Sequence, residues 1–200
     1  RTQNKYNSRI LQKGVAPEAV PLFSIFDEQT VVASPFFLKP VYPALSALSL
    51  CFSSFLEAKK YARDAVAELK KRNEVYGKLF QFVHEEIEAS GDLSGSFVAE
   101  SLLPECEQIT TDGYIFNGEV VIIGHSLSTF LKDSLSFDTF QFPQRYSKSI
   151  EKKLYELTGE LIRVHGLDDT FFNIEYRVDV KSEEIYIVEI NSRTSSQFSY

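Results

Sequence analysis

Two acidic stretches near the C-terminus hold the residues best suited to chemistry. Alternating polar and apolar residues predict two strands, and a loop of hairpin length, Val180 to Glu184, joins them. If this loop is symmetric about Ser182, Glu175 lies opposite Glu189. Neighbouring strands keep two opposed carboxylates only when a positive charge lies between them. The residues predicted to point the same way are Phe171, Asn173, Glu175 and Arg177 in one strand, and Ile185, Ile187, Glu189, Asn191 and Arg193 in the other.

The chemistry that these residues predict is the binding of a magnesium ion. Asn173 is expected opposite Asn191, so that amide oxygens accompany the carboxylates. Such oxygens are hard donors that suit Mg²⁺, whose coordination is usually completed by water and substrate phosphates. We therefore predict a Mg-nucleotide site with Arg193 beside it to hold a further anion. The alternative is a hairpin face that is merely solvated; two Glu alone would favour it, but Asn191 and Arg193 in phase weigh against it.

Composition excludes several classes of protein. The 200 residues are 44% hydrophobic and 24% charged, as in a soluble globular protein, and the net charge of −7 argues against a nucleic-acid-binding surface. No apolar run is long enough to cross a bilayer. Cys51 and Cys106 show neither a disulfide nor a metal-binding pattern, which favours free thiols in a reducing compartment. We therefore expect a cytoplasmic protein with no nucleic-acid or membrane partner.

The chain contains no methionine, even at position 1. Together with the end of the chain at Tyr200, this predicts an excerpt from a longer polypeptide whose other parts supply substrate contacts. A sequence from which methionine positions have been left out is the alternative.

Further elements must position the acidic hairpin. Helical patterns occupy about residues 5–13, 55–72, 74–88 and 148–164. Strand patterns occupy about residues 36–41, 97–103, 107–116 and 119–125. Ser54 with Glu57 forms a capping box for the second helix, and Asn117-Gly118 is a type I′ turn pair between the last two strands. The polar, aromatic-rich stretch 126–143 is predicted to be an ordered loop or lid.

The order of these elements predicts an α+β protein of two lobes, and clefts between lobes are common ligand sites. Residues 1–21 are expected to form an N-terminal helix and link that end a preceding domain. The predicted smaller lobe spans residues 22–96. The larger lobe spans residues 97–200 and is expected to be truncated at its C-terminus.

A second group of residues follows the strand at 97–103. The chain runs from Glu100 through Leu102 to Glu107, and then to Asp112-Gly113. The backbone leaving a strand can both donate to and accept from an adenine, and a carboxylate seven residues further on can accept two ribose hydroxyls. Taken alone, this pattern is more typical of a surface connection.

In their order along the chain, these motifs resemble those of the ATP-grasp superfamily, in particular its carboxylate–amine ligases such as D-alanine–D-alanine ligase, and the related biotin carboxylases. The resemblance covers nearly all of residues 5–198. It implies an α+β ATP-grasp fold, two α+β lobes with the nucleotide between antiparallel sheets. The motifs that carry it are Lys39-Pro40-Val41, Glu100-x6-Glu107 with Asp112-Gly113, Asn173-Ile174-Glu175 and Glu189-Ile190-Asn191-Ser192-Arg193.

The resemblance also implies a role for each matching residue. The implied ATP-binding residues are Lys5 and Lys39 for the phosphates, Glu100 and the Leu102 backbone for adenine, and Glu107 for ribose. The implied ligands of Mg²⁺, or of Mn²⁺ in its place, are Glu175, Glu189 and Asn191. Arg193 would steady the reacting carboxylate.

The activity that the resemblance implies is an ATP-dependent ligation. A substrate carboxylate attacks the γ-phosphorus, and an amine then captures the acyl phosphate; small-molecule carboxylates and amines are thus the implied partners, and a homodimer is left open. The family usually has a glycine-rich loop after the strand lysine, whereas Pro43 to Ser49 contain no glycine. This departure favours a second hypothesis, a non-catalytic nucleotide-binding module. A purely structural interaction domain is the third.

Overall fold

The computed structural model describes residues 2–42, 48–80, 93, 95–132 and 136–195, without the side chains of residues 70 and 72–80. The chain divides into two compact units. Unit 1 contains Gln3–Arg9 and Pro21–Leu102, and unit 2 contains Thr2, Ile10–Val20 and Leu103–Tyr200. This division differs from the predicted boundary at residue 97, because the strand that begins there pairs with strands of unit 1.

Each unit contains an antiparallel sheet, and helices accompany both, so the chain is of the predicted α+β class. The helices are α1 (Lys5–Val15), α2 (Phe55–Phe80) and α3 (Lys148–His165), with a 3-10 turn at Pro17–Ala19. The strands of unit 1 are β1 (Phe23–Ile25), β2 (Phe36–Pro40), β3 (Leu50–Phe52) and β4 (Phe97–Ser101). The strands of unit 2 are β5 (Glu107–Phe116), β6 (Glu119–Phe130), β7 (Phe137–Gln144), β8 (Thr170–Asp179) and β9 (Glu184–Asn191). None of the helices in the described residues is long and apolar enough to cross a membrane.

Unit 1 holds a four-stranded sheet in the order β1-β4-β2-β3. Helix α2 begins after Ser54, whose hydroxyl accepts a hydrogen bond from the Glu57 N–H at 3.4 Å, as the capping box predicted. The helix continues to Phe80 rather than ending near residue 72, since no proline interrupts residues 73–80 and the single glycine there, Gly77, is accommodated within the helix. The predicted helix over 74–88 is therefore the end of α2 as far as residue 80, and residues 81–88 lie outside the described part. Buried residues of the unit 1 core are Val32, Phe36, Leu38, Ala58, Ala65, Leu69, Phe97 and Ala99.

Unit 2 holds a five-stranded sheet in the order β7-β6-β5-β8-β9, with α3 packed on one face. Helix α3 begins after Ser147, whose hydroxyl accepts from the Ile150 N–H, and ends at Gly166 in the left-handed conformation. One side of α3 is apolar and faces the core. The buried core contains Ile150, Leu154, Leu161 and Ile162 of the helix, together with strand residues Ile109, Ile115, Phe172, Ile174, Tyr176, Val178, Ile187 and Ile190.

Residues 126–130 and 137–143 lie in strands rather than in the predicted loop or lid, and residues 133–135 lie outside the described part. Strand β6 runs on to Phe130, and β7 pairs with it. The reason is that the alternation of β6 continues: Leu127 packs against the core, whereas Ser126 and Ser128 point to the other face. The Asn117-Gly118 turn that opens β6 has positive φ angles at both residues, as a type I′ turn requires.

Gly113 of β5 lies where the surrounding atoms leave no room for a side chain. A Cβ at this position would fall against the carbonyl oxygen of Val121 and the ring of Phe172. Replacing Gly113 with alanine is therefore expected to lower the free energy of unfolding by about 1–3 kcal/mol, measured by urea denaturation with circular dichroism. Gly159, a helical glycine with nothing within 4 Å of its added Cβ, is the matched control. Alanine there is expected to stabilise by about 0.5–1 kcal/mol, and equal effects at the two positions would contradict this account.

Candidate functional site

The hairpin of β8 and β9 brings the predicted acidic residues face to face. In the ladder between these strands, Glu175 is the partner of Glu189 and Asn173 is the partner of Asn191. The side chains of Glu175, Glu189 and Asn191 are half-buried, whereas Asn173 is buried. The predicted pairing of the two carboxylates, and of the two amides next to them, is therefore confirmed.

A β-bulge determines this pairing. The loop spans only residues 180–183, since Asp179 pairs with Glu184, and Val188 is an extra residue between the pairs Tyr176–Ile187 and Glu175–Glu189. Because of this extra residue, odd-numbered residues of β9 face the core before Val188, and even-numbered residues face it after Val188. Ile187 is consequently buried in the core with Ile190, and Ile185 packs against that core. The prediction that Ile185 and Ile187 point the same way as Glu189 is wrong for this reason.

The residues opposite α3 form what we call the polar face of the unit 2 sheet. The ladder between β5 and β8 has no register shift, so Thr110 lies beside Glu175 and Asp112 beside Asn173. Residues on alternate positions of a strand share a face, which brings these pairs together with the pairs of the hairpin. The polar face includes Gln108, Thr110, Asp112, Asn173, Glu175, Glu189 and Asn191, together with Ser126 and Ser128 of β6.

Hydrogen bonds connect one row of this face. The Nδ2 of Asn173 donates to Oδ1 of Asp112 at 3.3 Å, and the Nδ2 of Asn191 donates to Oδ1 of Asn173 at 3.3 Å. The backbone N–H of Ser195 also donates to Oδ1 of Asp112, at 3.1 Å. The sequence alone predicted no role for Asp112, although its alternation with Thr110 along β5 was a usable signal.

The donors of the polar face fit a hard divalent cation. Two carboxylates, Glu175 and Glu189, face each other, and the Nδ2 of Asn191 is directed to Asn173, so Oδ1 is its atom suited to a cation. The Nε2 of Gln108 donates to Oε2 of Glu175 at 3.1 Å, which orients that carboxylate. Within the described part of the chain, no three His, Cys, Asp or Glu residues are arranged to hold a metal. Mg²⁺ usually completes its coordination with water and substrate phosphates.

Arg193 lies two residues beyond the end of β9. Its side chain is exposed, and Nη1 donates to the backbone oxygen of Thr194 at 3.2 Å. The alternation of side chains along β9 does not determine where the Arg193 side chain points, because the ladder ends at Asn191. Its predicted contact with a substrate carboxylate stays a prediction.

Glu107 opens β5 with its side chain away from the polar face. It pairs with Val178, a core residue, and its Oε2 accepts a hydrogen bond from the hydroxyl of Tyr146 at 2.7 Å. Burial raises the pKa of Tyr146 well above its ordinary value of 10.0, and the hydrogen bond to Glu107 raises it further. The structure therefore does not bring Glu107 together with Glu175 and Glu189. Its ribose contact stays a prediction.

Lys39, one of the two lysines predicted to contact phosphates, belongs to a buried ionic triad in unit 1. The Nζ of Lys39 lies 2.8 Å from Oε2 of Glu100, and Arg9 binds both oxygens of that carboxylate, Nε to Oε1 at 2.7 Å and Nη2 to Oε2 at 2.9 Å. All three residues are buried. Burial raises the pKa of Glu100, but the two cations outweigh it and lower the pKa to about 2. Sequence analysis found Lys39 and Glu100 but missed Arg9, which lies on α1.

The other predicted ATP-binding residues of unit 1 lie at the ends of elements. Lys5 is the first residue of α1; it is buried, and its backbone N–H donates to the carbonyl of Val41 at 2.8 Å. Leu102 follows β4 directly, with an exposed side chain. Most of the glycine-free segment after Lys39, residues 43–47, lies outside the described part.

A hydrogen-bonded histidine occupies the helix side of the unit 2 sheet. Nε2 of His125 lies 3.1 Å from Oε2 of Glu151, and Nδ1 lies 2.8 Å from the hydroxyl of Thr111. A carboxylate only accepts hydrogen bonds, so Nε2 carries the proton and Nδ1 accepts from Thr111. These residue types would suit a nucleophilic triad, but the side chain of Thr111 is fully buried. We therefore interpret the group as structural.

The burial of His125 predicts a pH dependence of stability. Burial lowers the pKa of His125 from its ordinary value of 6.5, Glu151 opposes this shift, and Arg145 adds to it. The folded protein thus binds fewer protons at this site than the unfolded chain. The free energy of unfolding should fall as the pH drops below 6.5, with a slope of at most about 1.4 kcal/mol per pH unit from this group. Urea denaturation at several pH values measures the slope.

Replacing His125 with glutamine is the control for this pH dependence. Glutamine does not titrate, so the variant should lose the part of the slope between pH 6.5 and the pKa of the folded histidine. A slope that is the same in both proteins would mean that other groups cause it.

Solved structures similar to this chain include a ligase, a synthetase and a carboxylase, two of them in complex with nucleotides. An L-amino acid ligase from Bacillus licheniformis matches with a TM-score of 0.68 and 15% identity, over 96% of this chain and 40% of that protein. The ADP complex of PurK, an N5-carboxyaminoimidazole ribonucleotide synthetase, matches with a TM-score of 0.67 and 13% identity, over 100% and 47%. A biotin carboxylase complex with β,γ-ATP from Campylobacter jejuni matches with a TM-score of 0.66 and 16% identity, over 98% and 41%.

These similarities show the fold. The chain has the α+β ATP-grasp fold that its motifs predicted. It spans less than half the length of each of these three proteins. No protein-family model and no curated protein sequence matches the chain.

Proposed function

We propose that the protein takes part in an ATP- and Mg²⁺-dependent ligation that activates a carboxylate as an acyl phosphate for attack by an amine. The observation that carries the proposal is the pairing of Glu175 with Glu189, next to Asn191, on the polar face. The similarity of the fold to enzymes solved with ADP and an ATP analogue supports a nucleotide as the ligand.

In this proposal Glu175, Glu189 and Asn191 hold Mg²⁺, with Mn²⁺ as an alternative ion. The ion would supply positive charge to the phosphate oxygens during transfer. The two carboxylates bind the cation, and Asn191 contributes an uncharged oxygen donor. Gln108 keeps one carboxylate oriented through its hydrogen bond to Glu175. Positioning and electrostatics do most of the work in phosphoryl transfer, so no protein nucleophile is required.

The nucleotide contacts are proposed for four residues of unit 1 and one residue of unit 2. Lys39 would contact the phosphates, and its ion pair with Glu100 keeps the ammonium group in place before ATP binds. Lys5 would contact phosphates as well. Glu100 and the backbone of Leu102 are proposed to bind adenine, and Glu107 to bind ribose.

The substrates are proposed to be a small carboxylic acid and an amine, with Arg193 steadying the carboxylate. One similar structure is an L-amino acid ligase and another is a biotin carboxylase, so amino acids and bicarbonate are the first acids to test. A cytoplasmic location is part of the proposal, because ATP is plentiful there and both cysteines are free.

A thermal-shift experiment with ATP, ADP and Mg²⁺ tests nucleotide binding. A ligand at 100 times its Kd stabilises a protein by about 2.7 kcal/mol. In a chain of this length that corresponds to a rise in Tm of about 5–10 °C. We expect this rise with Mg-ATP, and a smaller one with ATP and EDTA. No shift with millimolar Mg-ATP would contradict the proposal and favour a purely structural domain.

A non-catalytic nucleotide-binding module is the second candidate function. The segment from Pro43 to Ser49 favours it, because residues other than glycine limit how closely a backbone can approach phosphates. ADP release in the presence of pools of amino acids and other carboxylic acids separates the two functions. Release that depends on an added acid and amine would support the ligase. Binding of Mg-ATP without such release would support the module.

A further inference from the structure

We propose that Asp112 is a positioning residue that fixes the amide of Asn191 through Asn173. In this arrangement Asn191 presents its oxygen, rather than its nitrogen, to the cation proposed for Glu175 and Glu189. The inference rests on the proposed function. It assigns a role to a residue outside the proposed set of metal ligands.

The direction of the hydrogen bonds carries the inference. Oδ1 of Asp112 accepts from both the Ser195 N–H and Nδ2 of Asn173. A backbone N–H can only donate and a carboxylate can only accept, so an oxygen must stand at this position and Asn173 must turn its nitrogen towards it. Oδ1 of Asn173 then points to Asn191 and accepts from its Nδ2 at 3.3 Å. The oxygen of Asn191 is thereby directed away from Asn173.

The burial of Asp112 indicates that stability alone does not explain this residue. The side chain is 3% exposed, and Oδ2 has no hydrogen-bond partner among the described residues. Burying a carboxylate with an oxygen unsatisfied costs free energy, and such groups often have a functional reason. Orienting a metal ligand through a hydrogen bond is such a function. Replacing a residue that does so typically lowers the metal affinity by about 10–100-fold.

The same oxygen also anchors the segment that follows β9. Ser195 lies two residues after Arg193, and its N–H bond to Asp112 ties the segment to β5. Asp112 thus restrains both the proposed metal ligand Asn191 and the segment of the proposed substrate-binding arginine. Removal of the acceptor should loosen the two together.

The test measures Mn²⁺ binding in the presence of ATP, by the loss of the electron paramagnetic resonance signal of free Mn²⁺. Leucine at position 112 has nearly the shape of aspartate but no acceptor. We expect D112L to raise the apparent Kd for Mn²⁺ by about 10–100-fold. D112N keeps an oxygen for the Ser195 N–H and should recover most of the loss. Asp169, an exposed aspartate of unit 2, supplies the control D169N, which should bind like the wild type.

Two further measurements separate a positioning role from a general loss of structure. The melting temperature without ligand should change little in D112N, and the affinity for ATP in EDTA should be unchanged in D112L. If D112L does not fold, N173A interrupts the same row while leaving Asp112 and Ser195 bonded, and it should show the same loss of Mn²⁺ affinity.

The outcomes distinguish the inference from the proposed function. Wild-type protein that binds no Mn²⁺ with ATP would overturn both. Wild-type binding that is retained in D112L or in N173A would overturn only the role of Asp112. Equal losses in D112N and D112L would overturn it too, because the acceptor at Oδ1 would then not be the reason.

Discussion

The variant E189Q is expected to bind Mg-ATP at least about 100-fold more weakly than the wild type and to lose turnover, since even groups around metal ligands contribute about 10–100-fold. Glu189 faces Glu175 in the hairpin ladder. Glutamine keeps the shape of the side chain but removes one of the two charges that the proposed cation must balance. Isothermal titration calorimetry with Mg-ATP measures the binding, and ADP release measures the turnover.

Metal-free ATP makes the E189Q experiment specific. The substitution removes a negative charge near the proposed phosphate site, so the affinity for ATP in EDTA should stay the same or rise. Opposite effects on Mg-ATP and on free ATP indicate a lost metal ligand, whereas a misfolded protein would bind both more weakly. The matched control is E184Q, because Glu184 is an exposed glutamate at the other end of β9. Unchanged Mg-ATP binding or ATP hydrolysis in E189Q would refute the assignment of the metal site.

Much of the polar face could be predicted because its pattern is local. Alternation along β8 and a short loop are enough to predict a hairpin, and the opposed carboxylates follow from the register. The register came out correctly because two differences cancel: the loop is one residue shorter than predicted, and Val188 adds one residue to β9. A classic bulge has no strict sequence requirement, so Ile185 and Ile187 were assigned to the wrong face.

Partners that are distant in the sequence could not be predicted. Asp112 and Asn173 are 61 residues apart, and Arg9 and Glu100 are 91 residues apart. The first pair depends on β5 lying next to β8, which no local pattern specifies. The second depends on where α1 places one buried side chain. The prediction of a loop or lid at 126–143 was wrong for a similar reason, because β7 is a strand only through its pairing with β6.

The variant R9M is expected to lower the free energy of unfolding by about 3 kcal/mol, the lower end of the cost of breaking a buried ion pair. Arg9 makes two hydrogen bonds to the buried carboxylate of Glu100, and their loss leaves that carboxylate with its ion pair to Lys39. Urea denaturation followed by circular dichroism measures the loss. The control is R63M, since Arg63 pairs with Asp64 on the surface and should contribute less than about 0.5 kcal/mol.

The pH dependence of R9M tests whether the charge of Glu100 causes the loss. The pKa of this carboxyl is lowered from 4.5 to about 2 in the folded protein, so its contribution to stability is complete above pH 4.5 and is lost as the pH falls towards 2. Without Arg9 the pKa of the folded state should rise towards 4.5, and this contribution should shrink at every pH above that window. A double-mutant cycle of R9M and E100Q isolates the ion pair, because both changes remove the same interaction and the loss in the double variant should therefore be smaller than the sum of the two single losses. Strictly additive losses would mean that Arg9 acts through packing rather than through its ion pair.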